Sequence, residues 1–323
     1  MWYNVNVGES MNKEFKNLEE QITILEYKGM TINDKEYAKE VLLRENYFFL
    51  NGYRHLFMKS DVDKKFIPGT EFNELYSLFL FDREFRNIIF KNLLLIENNI
   101  KSIMSYQLSK KYGYKENDYL KSRNFTDRKD KQRQVQDIIK KMKRQVRVNA
   151  PQHTATKHYV DHYGYIPMWI LVKVLSFGIV GELYQILKKE DQQGIADIYH
   201  LDIETLVTYL PILSNYRNLC AHEDIVFENK TQKQIDDTLY HSMLNIPKMD
   251  GEYIYGKNDN FALIIMMKQL LTDIEFKNMM NELKHAIDNL EYNLKTINIE
   301  KVLDRMGFPE NYYQLTNITK KVE

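Results

Sequence analysis

The sequence predicts an all-α fold, and three observations predict it. Apolar residues recur at three- and four-residue spacing over long stretches, few segments alternate as strands do, and breakers are scarce, with 12 glycines and 6 prolines in 323 residues. A composition of 44% hydrophobic and 28% charged residues belongs to a globular chain and not a disordered one. The length allows one large domain or two small ones, and no linker long enough to separate domains is visible. Residues 1–70 are expected as an N-terminal helical extension packed on a helical domain over 71–323, in one continuous unit.

The first helix is expected from Asn12 to Tyr27, with Phe15, Leu18, Ile22 and Leu25 on one face and Gly29 as its stop. Thr31 to Asp34 offers N-cap chemistry to a second helix carrying Tyr37, Val41 and Leu42. Asn46 to Phe57 is rich in aromatics (Tyr47, Phe48, Phe49, Tyr53, Phe57) that could stack on bases beside Arg54 and His55, but this density favours core. After the turn at Ile67-Pro68-Gly69-Thr70 comes the longest helical pattern, Phe72 to Lys111, closed by Gly113. Its charges Asp82, Arg83, Glu84, Arg86 and Glu97 read mostly as solvated faces or structural ion pairs. Glu97 or Arg86 could instead reach a reactive cleft and support Arg217 or His222, and Glu97 stays open because it sits among Leu93 to Ile96, where a charge needs a partner.

From Lys121 to Arg147 the composition turns basic. Lys121, Arg123, Arg128, Lys129, Lys131, Arg133, Lys140, Lys141, Lys143, Arg144 and Arg147 face only Asp127, Asp130 and Asp137. In a chain of formal net charge zero, such a one-signed cluster is an electrostatic footprint for a phosphate backbone. Arg128, Lys129, Lys131, Arg133, Lys140, Lys141, Lys143, Arg144 and Arg147 are therefore expected to contact RNA, on a helix whose Val135, Ile138, Ile139 and Met142 face inward. The alternative is a solvated amphipathic helix balanced by acids elsewhere. Ala150-Pro151 breaks it, and His153, His158 and His162 fall in an expected loop. His158, His162 and Asp161 have the spacing of metal ligands, but no cysteine or further acidic cluster completes a site, and no metal is expected. The Arg147 and His153 pair straddles Pro151 and carries no weight.

Met168 to Lys189 reads as one strongly apolar helix, in which Gly178 and Gly181 permit close packing. Ile203 to Tyr216 leads into the polar stretch at its end, Gln232 to Gly256 reads as loop, Asn260 to Lys295 as a last long helix, and the tail after Gly307-Phe308-Pro309 as frayed. Cys220, the one cysteine, excludes an internal disulfide, suits a reducing cytoplasm and reads as a packing residue. Met1-Trp2-Tyr3-Asn4 shows no signal-peptide pattern, and apolar runs such as Phe261 to Met267 fall far short of the ~20 residues that span a bilayer. A soluble, cytoplasmic protein without a membrane partner is expected. No internal repeat, P-loop, Gly-rich dinucleotide motif or Cys-based zinc pattern is present, and no cofactor is expected.

The stretch Ser214 to Asp224 carries the chemistry. Arg217 offers a permanent planar charge whose forked donors fit phosphate oxygens, and His222 can exchange a proton near neutral pH. On a straight helix the two side chains point about 140° apart, so convergence on one pocket needs the helix to start, end or bend there. Spacing alone also fits an arginine paired to an acid and a histidine capping a helix.

Arg217-Asn218-Leu219-Cys220-Ala221-His222 resembles the Arg-Asn-x-x-x-His signature of the HEPN superfamily of RNases. The rest of the chain resembles its Abi branch, the abortive-infection proteins of AbiD/AbiF type. The matching pieces are 46–53, Leu75-Tyr76 through 81–86, Ile96-Glu97 with Tyr112-Gly113, Pro167-Met168-Trp169 through 175–178, and Arg305-Met306-Gly307-Phe308-Pro309. The resemblance implies a HEPN-type helical bundle with additional N-terminal helices and a metal-independent endoribonuclease toxin used in phage defence. It further implies a cognate structured small RNA as antitoxin. In that mechanism His222 exchanges the proton, Arg217 stabilises the phosphorane and Asn218 orients one of the reacting groups. Such sites assemble where two signatures face each other, so one signature per chain predicts a homodimer with a composite cleft. The acids Glu223-Asp224 depart from the pattern, since they could hold His222 protonated or repel phosphate. The competing readings are a non-catalytic RNA-binding protein, in which the basic helix carries affinity, and a protein-binding regulator, which leaves that helix unexplained.

Overall fold

The structure is a computed structural model, described here over residues 14–319 apart from Asp61 and Ala150. The start Met1–Asn4 and residue Asn12, where the first helix was expected to begin, lie outside the described residues. The chain is all-α; the strands among the described residues are two antiparallel pairs of residues, Lys248–Met249 and Glu252–Tyr253. No described helix is long and apolar enough to cross a membrane.

In chain order the helices begin with α1 (Leu18–Tyr27), α2 (Lys35–Glu45), α3 (Tyr47–Asn51) and α4 (Phe72–Tyr112), followed by the one-turn α5 (Glu116–Tyr119). Caps explain the boundaries. Asn17 and Glu20 form a reciprocal capping box at α1, and the Asp34 carboxylate accepts the Tyr37 N–H at α2. The 41-residue α4 runs without a breaker until Gly113, and Leu75, Leu78, Phe85, Ile88, Ile89, Ile96 and Met104 bury its apolar stripe. The aromatics of 46–57 divide: Tyr53 and Phe57 are core, whereas Phe48 and Phe49 are 61% and 56% exposed, because the short α3 presents them outward.

The second half contains α6 (Gln132–Asn149), α7 (Thr154–Tyr163), α8 (Met168–Val174), α9 (Phe177–Ile186), α10 (Lys189–Ala196) and α11 (Ile203–Ala221). It ends with α12 (Leu239–Met243), α13 (Asn260–Leu270), α14 (Asp273–Asn293) and α15 (Ile299–Met306). Helix α6 buries Val135, Ile138, Ile139 and Met142, the four residues its periodicity assigns inward.

Several expected elements change. The His-bearing stretch is helix and not loop, since no breaker lies between Pro151 and Gly164 and the His153 ring caps it by accepting the Thr156 N–H at 3.3 Å. The single apolar helix over 168–189 is two, because the Ser176 hydroxyl caps a fresh start at α9. The last long helix is also two. Thr272 and Glu275 exchange hydrogen bonds in a capping box, which starts α14 with only Leu271 and Thr272 between it and α13. The tail packs: a 3₁₀ turn over Tyr312–Asn317 buries Tyr312 and Leu315.

The described residues cluster into two compact units. One comprises residues up to Phe81 with Asn289–Lys301; in it the buried Glu74 carboxylate accepts the backbone N–H groups of Lys295 and Thr296 at 2.5 and 2.6 Å. The other holds Asp82–Asp288 with Val302 onward. There α11 packs along α9 with Gly178 and Gly181 on the contact face, where a Cβ at Gly181 would meet Leu210 at 3.4 Å.

Candidate active site

Helix α11 begins on the Asp202 cap, buries Leu206, Leu210, Leu213, Tyr216 and Cys220, and ends inside the signature. His222 is its C-cap. Glu223 stands in the left-handed region at φ +58°, its N–H donates to Cys220 O at 3.4 Å, and the Asp224 N–H donates to Leu219 O at 3.2 Å. This is the Schellman arrangement, with a glutamate where glycine is usual. The reversal sends the chain back toward the first turns of unit-two α4, where it is pinned.

The pin is Asp82. Its buried carboxylate accepts the N–H of Phe227 at 2.7 Å and of Val226 at 3.2 Å, and Arg86 one turn on donates to it at 2.5 Å. Arg86 also reaches Asp224 O at 3.3 Å, and the Asn260 amide donates to the carbonyls of Val226 and Phe227 at 2.8 Å each. These bonds to the backbone of Asp224, Val226 and Phe227 fix where the signature ends. From the sequence, Asp82 and Arg86 read as solvated faces or structural ion pairs, with Arg86 also a candidate to support Arg217 or His222; the structure holds Arg86 on Asp82. Their i,i+4 spacing between Phe81, Phe85 and Ile89, on an apolar face, was the available signal.

Arg217 turns onto α4. Its Nε lies 3.4 Å from Glu97 Oε2 and its guanidinium lies over the Phe90 ring at 5.7 Å. Glu97 is buried and divides its charge, since Lys101 Nζ holds the other carboxylate oxygen at 2.6 Å. The terminal nitrogens of Arg217 make no hydrogen bond among the described residues, and the side chain is 33% exposed. Asn218 and His222 are exposed, and no side-chain hydrogen bond to another described residue holds either one. Thus one chain brings Arg217, Glu97, Lys101 and Phe90 together. At about 100° per residue the positions of Arg217 and His222 lie roughly 140° apart about the helix axis, and His222 is exposed, as are Glu223 and Asp224 after it. Cys220 is buried, and burial pushes its thiol up to about 12, which makes it a packing residue and not a nucleophile at neutral pH. A cleft lined by His200, Asp202, Thr205, Tyr209, Asp237 and Gln269 lies at the opposite end of α11, roughly 18 Å from Arg217 along the axis.

The basic residues sort by use. Arg128 is held by Asp130 through Nε at 3.2 Å and a terminal nitrogen at 2.7 Å, Lys131 donates to Gln185 O at 2.8 Å, and Lys141 pairs with Glu182 at 2.5 Å. Lys129, Arg133, Lys140, Lys143, Arg144 and Arg147 are exposed and make no ion pair among the described residues. At about 100° per residue, Arg133, Lys140, Arg144 and Arg147 fall within roughly 60° of one another, opposite the buried stripe of α6. They form one cationic line along the helix. His158 and His162 stack with ring centroids 4.4 Å apart, and among the described residues no group of three or more His, Cys, Asp or Glu side chains is placed to hold a metal.

A sequence model of the family described as Abi-like protein matches residues 40–228, more than half of the chain and all of the α4–α11 frame around the signature. Comparison with curated proteins found no match, and neither did comparison with solved structures.

Proposed function

Because the chain belongs to the Abi-like protein family, we propose that it is a phage-defence toxin that cleaves RNA as a metal-independent endoribonuclease of HEPN type. Family membership supports the abortive-infection role itself. The nuclease reading is carried by one observation: Arg217 is anchored through Nε to Glu97 while its forked end stays unengaged, at a helix terminus that also offers an exposed imidazole and carboxamide.

In the proposed step the ribose 2′-oxygen attacks the adjacent phosphorus as its proton passes to a base. The bond to the 5′-oxygen breaks as that oxygen gains a proton, leaving a 2′,3′-cyclic phosphate. His222 handles one of these protons, the Arg217 fork stabilises charge on the phosphorane, and Asn218 orients a reacting oxygen by hydrogen bonding. The angle between Arg217 and His222 within one chain favours a homodimer, in which the arginine of one copy and the histidine of the other face one phosphate. The RNA-binding line of α6, a cytoplasmic location and a structured small RNA as antitoxin complete the proposal.

The pairing of Arg217 with Glu97, and the acids next to His222, favour a second reading in which these residues are structural and the chain binds RNA without cutting it. Arg217→Ala and His222→Ala separate the two. The nuclease reading expects each to lower cleavage by about 100-fold or more, and to abolish growth arrest, with melting temperature and RNA affinity kept. The products of the parent protein should carry 2′,3′-cyclic ends with EDTA present. A parent protein that binds RNA but neither cuts it nor arrests growth establishes the second reading.

A further inference from the structure

Away from α11, the surface of the α7–α8 corner carries a run of aromatic rings, of which Tyr163, Tyr114 and Trp169 are exposed and Tyr165 is half-buried among the described residues. Trp169 in the first turn of α8 lies 6.1 Å from Tyr114, which follows the end of α4, and Tyr114 lies 5.6 Å from Tyr165. Tyr165 is 6.1 Å from Tyr163, and Tyr163 is 5.3 Å from Tyr159 and 5.8 Å from His158. Tyr163, Tyr114 and Trp169 are 56%, 45% and 43% exposed, and the one buried residue of α7 is Thr156. An apolar surface this continuous is costly unless it is used.

Its charge environment says for what. The Lys115 ammonium stands 5.1 Å from the centre of the Tyr165 ring and 6.0 Å from that of Tyr114. The neighbouring acids are engaged: Glu116 accepts the Ile166 N–H at 2.5 Å, Asp118 pairs with Lys121 at 3.0 Å, and Asp161 with Lys157 at 3.2 Å. Helix α6 packs on both α7 and α8, and its cationic line ends at Arg144 and Arg147, just before the turn into α7. Exposed rings beside cations that no described acid pairs are what an unpaired nucleotide run needs: rings stack on bases and cations meet the phosphates. A duplex, whose bases already stack on one another, cannot use the rings.

We propose that the ring track Trp169–Tyr114–Tyr165–Tyr163 is a binding site for a short unpaired stretch of an RNA strand, with Lys115 and the end of the α6 line on its backbone. The choice of RNA over DNA rests on the nuclease reading above; the site itself does not.

Trp2→Phe leaves Trp169 as the one tryptophan and makes it the reporter. A 12-nucleotide unstructured RNA should quench its fluorescence saturably, and an RNA duplex of equal length should not. Tyr163→Leu and Tyr165→Leu should each weaken single-strand affinity about tenfold, within the range of one lost base stack. Tyr163→Phe should not. Arg217→Ala and His222→Ala should leave the quench intact, so a failed nuclease reading would show as lost or absent cleavage with normal quenching. Three results overturn the proposal: no quenching by single strands, equal quenching by duplex, or unchanged affinity in both leucine variants. A fourth is a dimer in the parent protein that the leucine variants split, which would give the rings to a second copy. Single-stranded DNA that quenches as strongly as RNA overturns the RNA assignment.

Discussion

Glu223 decides where the signature ends. A side chain at φ +58° crowds its own backbone, and glycine would relieve this at a cost of about 1 kcal/mol or less in chain entropy. The strain persists because the turn on either side is over-determined by the Asp82–Arg86 pair and by Asn260. Glu223→Gly should therefore raise stability by about 0.5–1 kcal/mol, read as a higher urea midpoint at unchanged slope. If the midpoint falls, the glutamate holds the turn through its carboxylate. Gly307 shows the opposite rule. At φ +82° it passes so close to the buried Asp259 that a Cβ would lie 2.2 Å from Asp259 Cγ, so glycine is required there by space as well as by conformation. The Arg305 to Pro309 piece is thus tied to the cap of α13, whose Ala262 N–H the same carboxylate accepts at 2.9 Å.

At the scale of elements, α6 is the part whose charge can be tested apart from its fold. Its core stripe is complete without the cations, and Arg133, Lys140, Arg144 and Arg147 spend nothing on ion pairs among the described residues. Replacing all four with glutamine should leave the circular dichroism and melting curve unchanged. It should weaken RNA binding and reduce the slope of log affinity against log salt by about 3, at roughly 0.7 per phosphate contact on a single strand. An unchanged slope would mean that RNA is met elsewhere. Lys141 and Arg128, already neutralised by Glu182 and Asp130, should contribute less than their neighbours when replaced singly.

At the scale of the whole molecule, one group through which pH acts is His241. The ring is fully buried against Tyr253 at 4.8 Å; its Nδ1 accepts the Thr238 N–H at 3.0 Å and its Nε2 donates to Gly256 O at 2.9 Å. Only the neutral ring fits this pattern, and burial holds its pKa below the ordinary 6.5. The sign follows from linkage. The unfolded chain takes up the proton first as pH falls, so the contribution of His241 is complete above about 6.5 and is lost as pH drops from there toward the folded value. Asp259, which burial pushes up to about 6, acts in the opposite sense over the same range, so the measurement is the difference between two proteins: His241→Gln, less stable at pH 7.5, should lose less of its urea midpoint than the parent, or gain more, between pH 7.5 and 5. Equal slopes in the two proteins would place the dependence on other groups.

What was legible in the sequence is what periodicity and local capping control. The all-α class, the extent of α4 and the inward residues of α6 follow from apolar spacing, because a helix must bury one stripe whatever it packs against. Even the missed breaks at Ser176 and Thr272 are written locally, in hydroxyls placed to cap, although the apolar runs across them masked the signal. The Arg217 to His222 motif could be read as a cluster, but not the direction of each side chain. That depended on residues far away in the chain: Glu97 and Phe90 draw Arg217 onto α4, and Asp82 fixes the reversal after His222. The ring track was likewise invisible, since Tyr114 and Trp169 are 55 positions apart and meet only because α4, α7 and α8 end at one corner. Sequence alone determines which stripe of each helix is buried, a property of nearest neighbours along the chain. Which polar and aromatic groups share a surface is decided by long-range packing, because those contacts join residues that the sequence keeps apart.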